Sequence, residues 1–163
     1  MGRQVIGVVG RSAGLGAFAR QHGLRAPVML EQGFALLPLR DEDLDALVPP
    51  PASRARAGFA QLNDELVRVL ERATSEALAT DGRPASAVEL AYVELDAFGG
   101  TVLQGAAVFR GGKLVLGPTT GARGPIDDAL RALGVEVRAP ARDAYEALGF
   151  DRHRGSEDEL GDE

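Results

Sequence analysis

The chain of 163 residues contains no cysteine. That excludes disulfides, thiol catalysis and thiolate-bound metals. Tryptophan is missing too, and aromatic residues make up only 5% of the chain. The core therefore has to be assembled from Leu, Val and Ala. Two histidines, His22 and His153, leave little for a transition-metal site. Lysine is nearly absent: Lys113 is the exception among eighteen basic residues, the rest being Arg. No run approaches the roughly 20 apolar residues that a membrane helix needs. The first residues, Arg3 followed by a short apolar run broken by Gly7 and Gly10, make a poor signal peptide. The cytoplasm is the expected location. Acids outnumber bases, giving a net charge of −6. This argues against nucleic-acid binding, which needs clustered Lys and Arg, and it suits a basic partner.

What is present reads as an α+β domain. The length is that of one ordinary domain. Residues 4–9 read as a strand and 13–22 as a short helix. Residues 27–39 read as two strands joined near Glu31-Gln32-Gly33, with Pro38 near a strand end. The acids of 41–43 favour a helix start. Pro49-Pro50-Pro51 opens an exposed loop over 49–57. Phe59, Leu62, Leu66, Val69, Leu70, Ala73 and Ala77 recur at three- and four-residue spacing, which predicts one long amphipathic helix over about 58–80. Residues 88–98, 101–109 and 113–117 read as consecutive antiparallel strands with Gly-Gly turns. Residues 124–134 form a helix with Pro125 at its start, 135–137 a further strand, and 142–150 a last short helix. The expected architecture is a single domain over 1–150, a mainly antiparallel sheet of hairpins with helices on one side. Residues 151–163 form a polar C-terminal segment with an acidic tail.

Three groups of residues carry candidate chemistry. Gly14, Gly16 and Ala19 follow the first strand with the spacing of a dinucleotide fingerprint, and Glu31 ends the next apolar run. Against nucleotide binding, Arg11-Ser12-Ala13 intervene, the helix is short, and the following strand runs into a hairpin. Next, strand alternation places Tyr92, Glu94 and Asp96 on one face, with the carboxylates about 6.5–7 Å apart. Such a pair can hold a cation, act in acid–base work, contact a partner, or simply mark a strand leaving the core. Gln104 on the next strand is placed to share their hydrogen bonds. Third, Arg152-His153-Arg154 concentrates positive charge before the acidic tail, as an anion or partner site or an internal ion-pair network. No Ser-His-Asp or His-cluster spacing is visible.

Two segments carry a resemblance. One runs Tyr92-x-Glu94-x-x-x-Phe98-Gly99-Gly100-x-x-x-Gln104, continuing through Ala106, Ala107 and Phe109. The other is the ending Arg152-His153-Arg154-x-x-Glu157-Asp158. Together with Gln32–Leu39 and Gly124–Val135, they resemble a group of small proteins from GC-rich, actinobacterial-type bacteria. No activity is attached to that group, so the resemblance implies no catalytic residues and no cofactor. It implies a shared role for Glu94, Gln104 and the Arg-His-Arg segment. The expected function is a small interaction protein, an inhibitor or immunity-type partner of a toxin or enzyme. Its contacts are expected at Tyr92, Glu94, Asp96, Gln104, the Thr119–Arg123 loop with Arg123, and Arg152, His153 and Arg154. The alternatives are a small-ligand or metal-binding protein, a hydrolase among them, using Glu94 and Asp96, and nucleotide binding at Gly14 and Gly16.

Overall fold

The computed structural model describes residues 3–51, 53–81, 89–98, 101–139 and 141–149, with backbone alone at 3, 76–81, 98 and 101. Its centre is one six-stranded antiparallel sheet. β1 (Arg3–Arg11) lies in the interior, between β3 (Phe34–Pro38) and β4 (Glu89–Phe98). Beyond β3 lies the short β2 (Val28–Met29); beyond β4 lie β5 (Thr101–Arg110) and β6 (Lys113–Gly121). The hairpins β2–β3, β4–β5 and β5–β6 are local, as the turn residues predict. At the β5–β6 turn Gly111 and Gly112 both take positive φ, 59° and 85°, which a two-residue turn of this twist requires. Pro38 closes β3, past the last β2–β3 pair at Val28–Leu36, so no partner strand needs its missing N–H.

Helices cover both faces of this sheet, not one. α1 (Ser12–Gln21), α2 (Asp41–Leu47) and α3 (Asp64–Asp81) pack on the face carrying Ile6, Val8, Leu90, Tyr92, Ala107 and Phe109. α4 (Pro125–Ala132) and α5 (Ala144–Ala147) pack on the face carrying Val5, Val9, Ala91, Val93, Leu95 and Val108. The reason is visible in β1, β4 and β5. They are apolar on both sides, so each side must be buried. A one-sided sheet would have shown alternating polar residues there.

The long helix starts at Asp64, six residues later than its periodicity predicts. Asn63 ends the preceding loop and its side-chain oxygen accepts a hydrogen bond from the Leu66 N–H at 2.8 Å, as an N-cap does. Phe59 and Leu62 match the helical spacing but belong to an irregular strap before the cap. Residues 135–137 form no strand. Glu136 instead exchanges two hydrogen bonds with the Gln32 side-chain amide, at 2.8 and 2.9 Å.

The nucleotide arrangement is not formed. β1 runs directly into α1 at Ser12, so Gly14 and Gly16 sit within the helix and not in a turn. Both neighbours of β1 are antiparallel, so there is no parallel crossover and no switch point for a dinucleotide. Glu31 lies in a short 3₁₀ turn between β2 and β3. Among the described residues no helix is long and apolar enough to cross a membrane.

Candidate functional site

Directly paired residues of antiparallel strands lie side by side on one face. The register of β1, β4 and β5 therefore lays out three rows on the α3 face. The innermost is Val8–Tyr92–Ala107, the next Ile6–Glu94–Gly105, and the outermost Gln4–Asp96–Leu103. The first row is buried in the core. The third is exposed, with Leu103 45% accessible. Between them, the second row carries a glutamate that is only 7% exposed.

Glu94 is buried because it is fully engaged. The strap before α3 presents three successive backbone N–H groups to its carboxylate. Ala60 donates to Oε1 at 2.7 Å; Gln61 and Leu62 donate to Oε2 at 2.9 and 3.2 Å. Tyr92, two residues back on the same face, donates its hydroxyl to Oε2 at 2.5 Å. Burial, reinforced by the Glu94 charge and that hydrogen bond, pushes the Tyr92 hydroxyl far above its ordinary value. It therefore stays a donor at any working pH. Converging N–H groups are a preformed anion seat, here filled by the protein's own carboxylate. A carboxylate has about four acceptor positions, so these four donors, three of them on Oε2, leave Glu94 little capacity for a metal or a substrate proton.

The strap is pinned at a second point. The Phe59 ring lies over Gly105, where an added Cβ would come within 2.5 Å of Phe59 Cε1. Only glycine leaves room for the ring at that point of the strand. The strap also closes on itself, with Arg56 N–H donating to the Leu62 carbonyl at 2.7 Å and Phe59 N–H to the Arg56 carbonyl at 2.9 Å. Ser53 binds Glu65 of α3 through its hydroxyl at 2.6 Å.

Held there, the strap forms one wall of a groove. A cleft of about 230 Å³ lies against Ile6, Phe59, Ala60, Asp96 and Leu103. A second, of about 340 Å³, lies against Arg40, Asp41, Glu42 and Gln61. Gln4 and Ile6 line both, so the two adjoin there. Arg40 is the one cation among the described lining residues, and it faces Glu42 at 3.6 Å. Asp41, Glu42 and Asp96 give the groove a net negative rim.

The expected site residues are thus divided. Tyr92, Glu94 and Asp96 share a face, as alternation predicts. Tyr92 and Glu94 are interior and Asp96 is not, so Glu94 is no surface contact. Gln104 pairs with Leu95 and leaves on the opposite face, where its Oε1 accepts from the Ile126 N–H at 3.1 Å and caps α4. It does not join the carboxylates. Arg123 is exposed in the loop before α4, beside a third cleft of about 380 Å³ that also touches Gln104, Asp127, Arg142 and Asp143. Arg152, His153 and Arg154 lie outside the described residues. Among the described residues no group of three or more His, Asp and Glu side chains could hold a metal. Sequence reasoning missed Gln4, Arg40–Glu42, Phe59 and Leu103. One signal pointed there: Gly105, an isolated glycine within a strand, marks a close approach by something else. Family models, curated proteins and solved structures give no match to this chain.

Proposed function

We propose that this protein is an interaction module that binds a basic protein partner along the groove between the strap and the outer row of the sheet. An inhibitor or immunity-type partner of a toxin or enzyme would work in this way. The observation that carries the reading is the groove's composition: Asp41, Glu42 and Asp96 stand against the single cation Arg40, beside apolar Ile6, Phe59 and Leu103. Apolar contact supplies affinity, and the acids steer a basic partner and speed its encounter. Catalysis by Glu94 is a poorer fit, because its acceptor positions are taken by the strap and by Tyr92.

The test is capture from an extract of the source cells on immobilised wild type and on the Asp41→Lys/Asp96→Lys variant, at low and high salt. Both positions are exposed, so the variant is expected to fold, with about 1 kcal/mol or less lost from the first turn of α2, where Asp41 favours the helix start. A basic protein held by the wild type at low salt, weakened by added salt and lost by the variant is the expected result. Equal retention by the variant, or a retained protein that is acidic, overturns the reading.

A further inference from the structure

We propose that the outer end of the groove is a seat for an arginine side chain of the partner, an inference that rests on the groove being the partner's docking face. Three features of the outer row specify this. Gln4 and Asp96 are register partners on adjacent strands, so an amide oxygen and a carboxylate stand side by side, roughly 5 Å apart at their Cβ atoms. Both are exposed, and no ion pair among the described residues engages Asp96. On the other side of Asp96, Leu103 is its register partner on β5 and offers an exposed apolar surface. One row inward, the Phe59 ring is fixed against Gly105 and lines the same cleft.

These are complementary to the parts of an arginine. Its planar fork reaches two acceptors in a row, as a point-charge ammonium does not. Its methylene stem suits Leu103 and Ile6. An aromatic ring fixed beside a carboxylate favours a guanidinium through its face. Glu94, one row inward, does not compete for the cation, because its oxygens already accept from Ala60, Gln61, Leu62 and Tyr92. Asp96 is therefore the acid available at this end, and Asp41 and Glu42 serve the other.

The probes are three blocked pentapeptides, Ala-Ala-X-Ala-Ala with X as arginine, lysine or citrulline, titrated while the amide resonances of Phe59–Leu62, Gln4 and Leu103 are followed by NMR. The arginine peptide is expected to shift these resonances and to bind about two- to fivefold more tightly than its neutral citrulline isostere, with lysine between. Asp96→Asn should bring the arginine peptide down to the citrulline level, and Asp41→Lys should change it far less. If arginine and lysine bind equally and Asp96→Asn weakens both, the seat is overturned while the basic-partner reading stands. If no peptide shifts these resonances but a basic protein is still lost by the Asp41→Lys/Asp96→Lys variant, the seat is overturned alone. If neither peptides nor a basic protein bind, both fall.

Discussion

Glu94→Gln is the substitution that separates an engaged structural carboxylate from a surface acid. The replacement is nearly isosteric, so packing is preserved and the hydrogen bonds decide. Glutamine offers one oxygen and one NH₂. If the oxygen takes the Oε2 position, it meets the same three donors, Gln61, Leu62 and Tyr92, as a neutral acceptor in place of a charged one. The NH₂ then points at the Ala60 N–H, donor against donor. Ala60 is exposed and can turn to water; Leu62 and Tyr92 are buried and have no such escape. Bonds to a charged acceptor are worth about 1.5–3 kcal/mol and neutral ones about 0.5–1.5, while an unsatisfied buried donor costs about 1–3. Weakening three bonds by about 1 kcal/mol each and giving up the Ala60 bond costs roughly 3–5 kcal/mol. In a domain of this size that lowers the melting temperature by roughly 6–20 °C. The assay is urea unfolding at neutral pH, read as a midpoint shift at constant slope, with Asp96→Asn as the companion. The companion makes the same chemical change two residues on and is expected to fall within about 0.5 kcal/mol of the wild type. A Glu94→Gln protein within about 1 kcal/mol of the wild type, or an Asp96→Asn protein equally destabilised, would refute this account of the strap.

Other consequences follow from the same contacts. Gly105→Ala forces the Phe59 ring aside and is expected to cost about 1–3 kcal/mol; the cost should shrink when Phe59→Leu is already in place, which a double-mutant cycle in urea measures. Asn63→Ala removes the acceptor of the Leu66 N–H and is expected to cost about 1 kcal/mol, with faster amide exchange in the first turn of α3. Gln104→Ala should loosen the start of α4, read as faster amide exchange at Ile126, whose N–H its side chain accepts. Glu65 is held below its ordinary value of 4.5, first by the Ser53 hydroxyl and then by backbone hydrogen bonds. A carboxyl depressed in the folded state contributes its stability above the unfolded value and loses it as the pH falls through the folded one. NMR titration should therefore find Glu65 titrating below 4.5 in the wild type and moving up in Ser53→Ala, whose acid unfolding should lose that component.

Much of the fold was legible because most of its pairing is local. Gly111-Gly112 set β5–β6, Gln32-Gly33 set β2–β3, and the Gly-Gly pair in the sequence after Phe98 predicts the β4–β5 pairing. The placement of β1 was not. Its partners are β3 and β4, and the second is about eighty residues away, a separation on which periodicity is silent. The covering of both faces followed from strands without a polar side, a feature read as strand but not as layer. The helix boundary failed at Phe59 and Leu62 because their spacing fits a helix, while Asn63 caps after them. That misreading hid the strap, and with it the partner of Glu94. Alternation placed Glu94 and Asp96 on one face but said nothing of depth, because depth depends on what crosses above the strand. Gln104 was misplaced for a smaller reason. A side chain's face on β5 depends on register, and register fixes it opposite Leu95, not opposite Glu94.

The two acids also make a warning about reading binding data. Asp96 would contact a partner directly. Glu94 would influence binding without touching one, because the strap it holds carries Phe59 and Gln61, which line the groove. A Glu94 variant with weakened binding would then look like a contact mutant. The two effects separate in the free protein. Loss of binding through Glu94→Gln should rise with loss of amide protection at Ala60, Gln61 and Leu62, as the strap opens more often. Loss through Asp96→Asn should leave that protection at the wild-type level. If Glu94→Gln weakens binding with the strap amides still fully protected, Glu94 acts as a contact after all, and the division between an inner, structural row and an outer, recognition row is wrong.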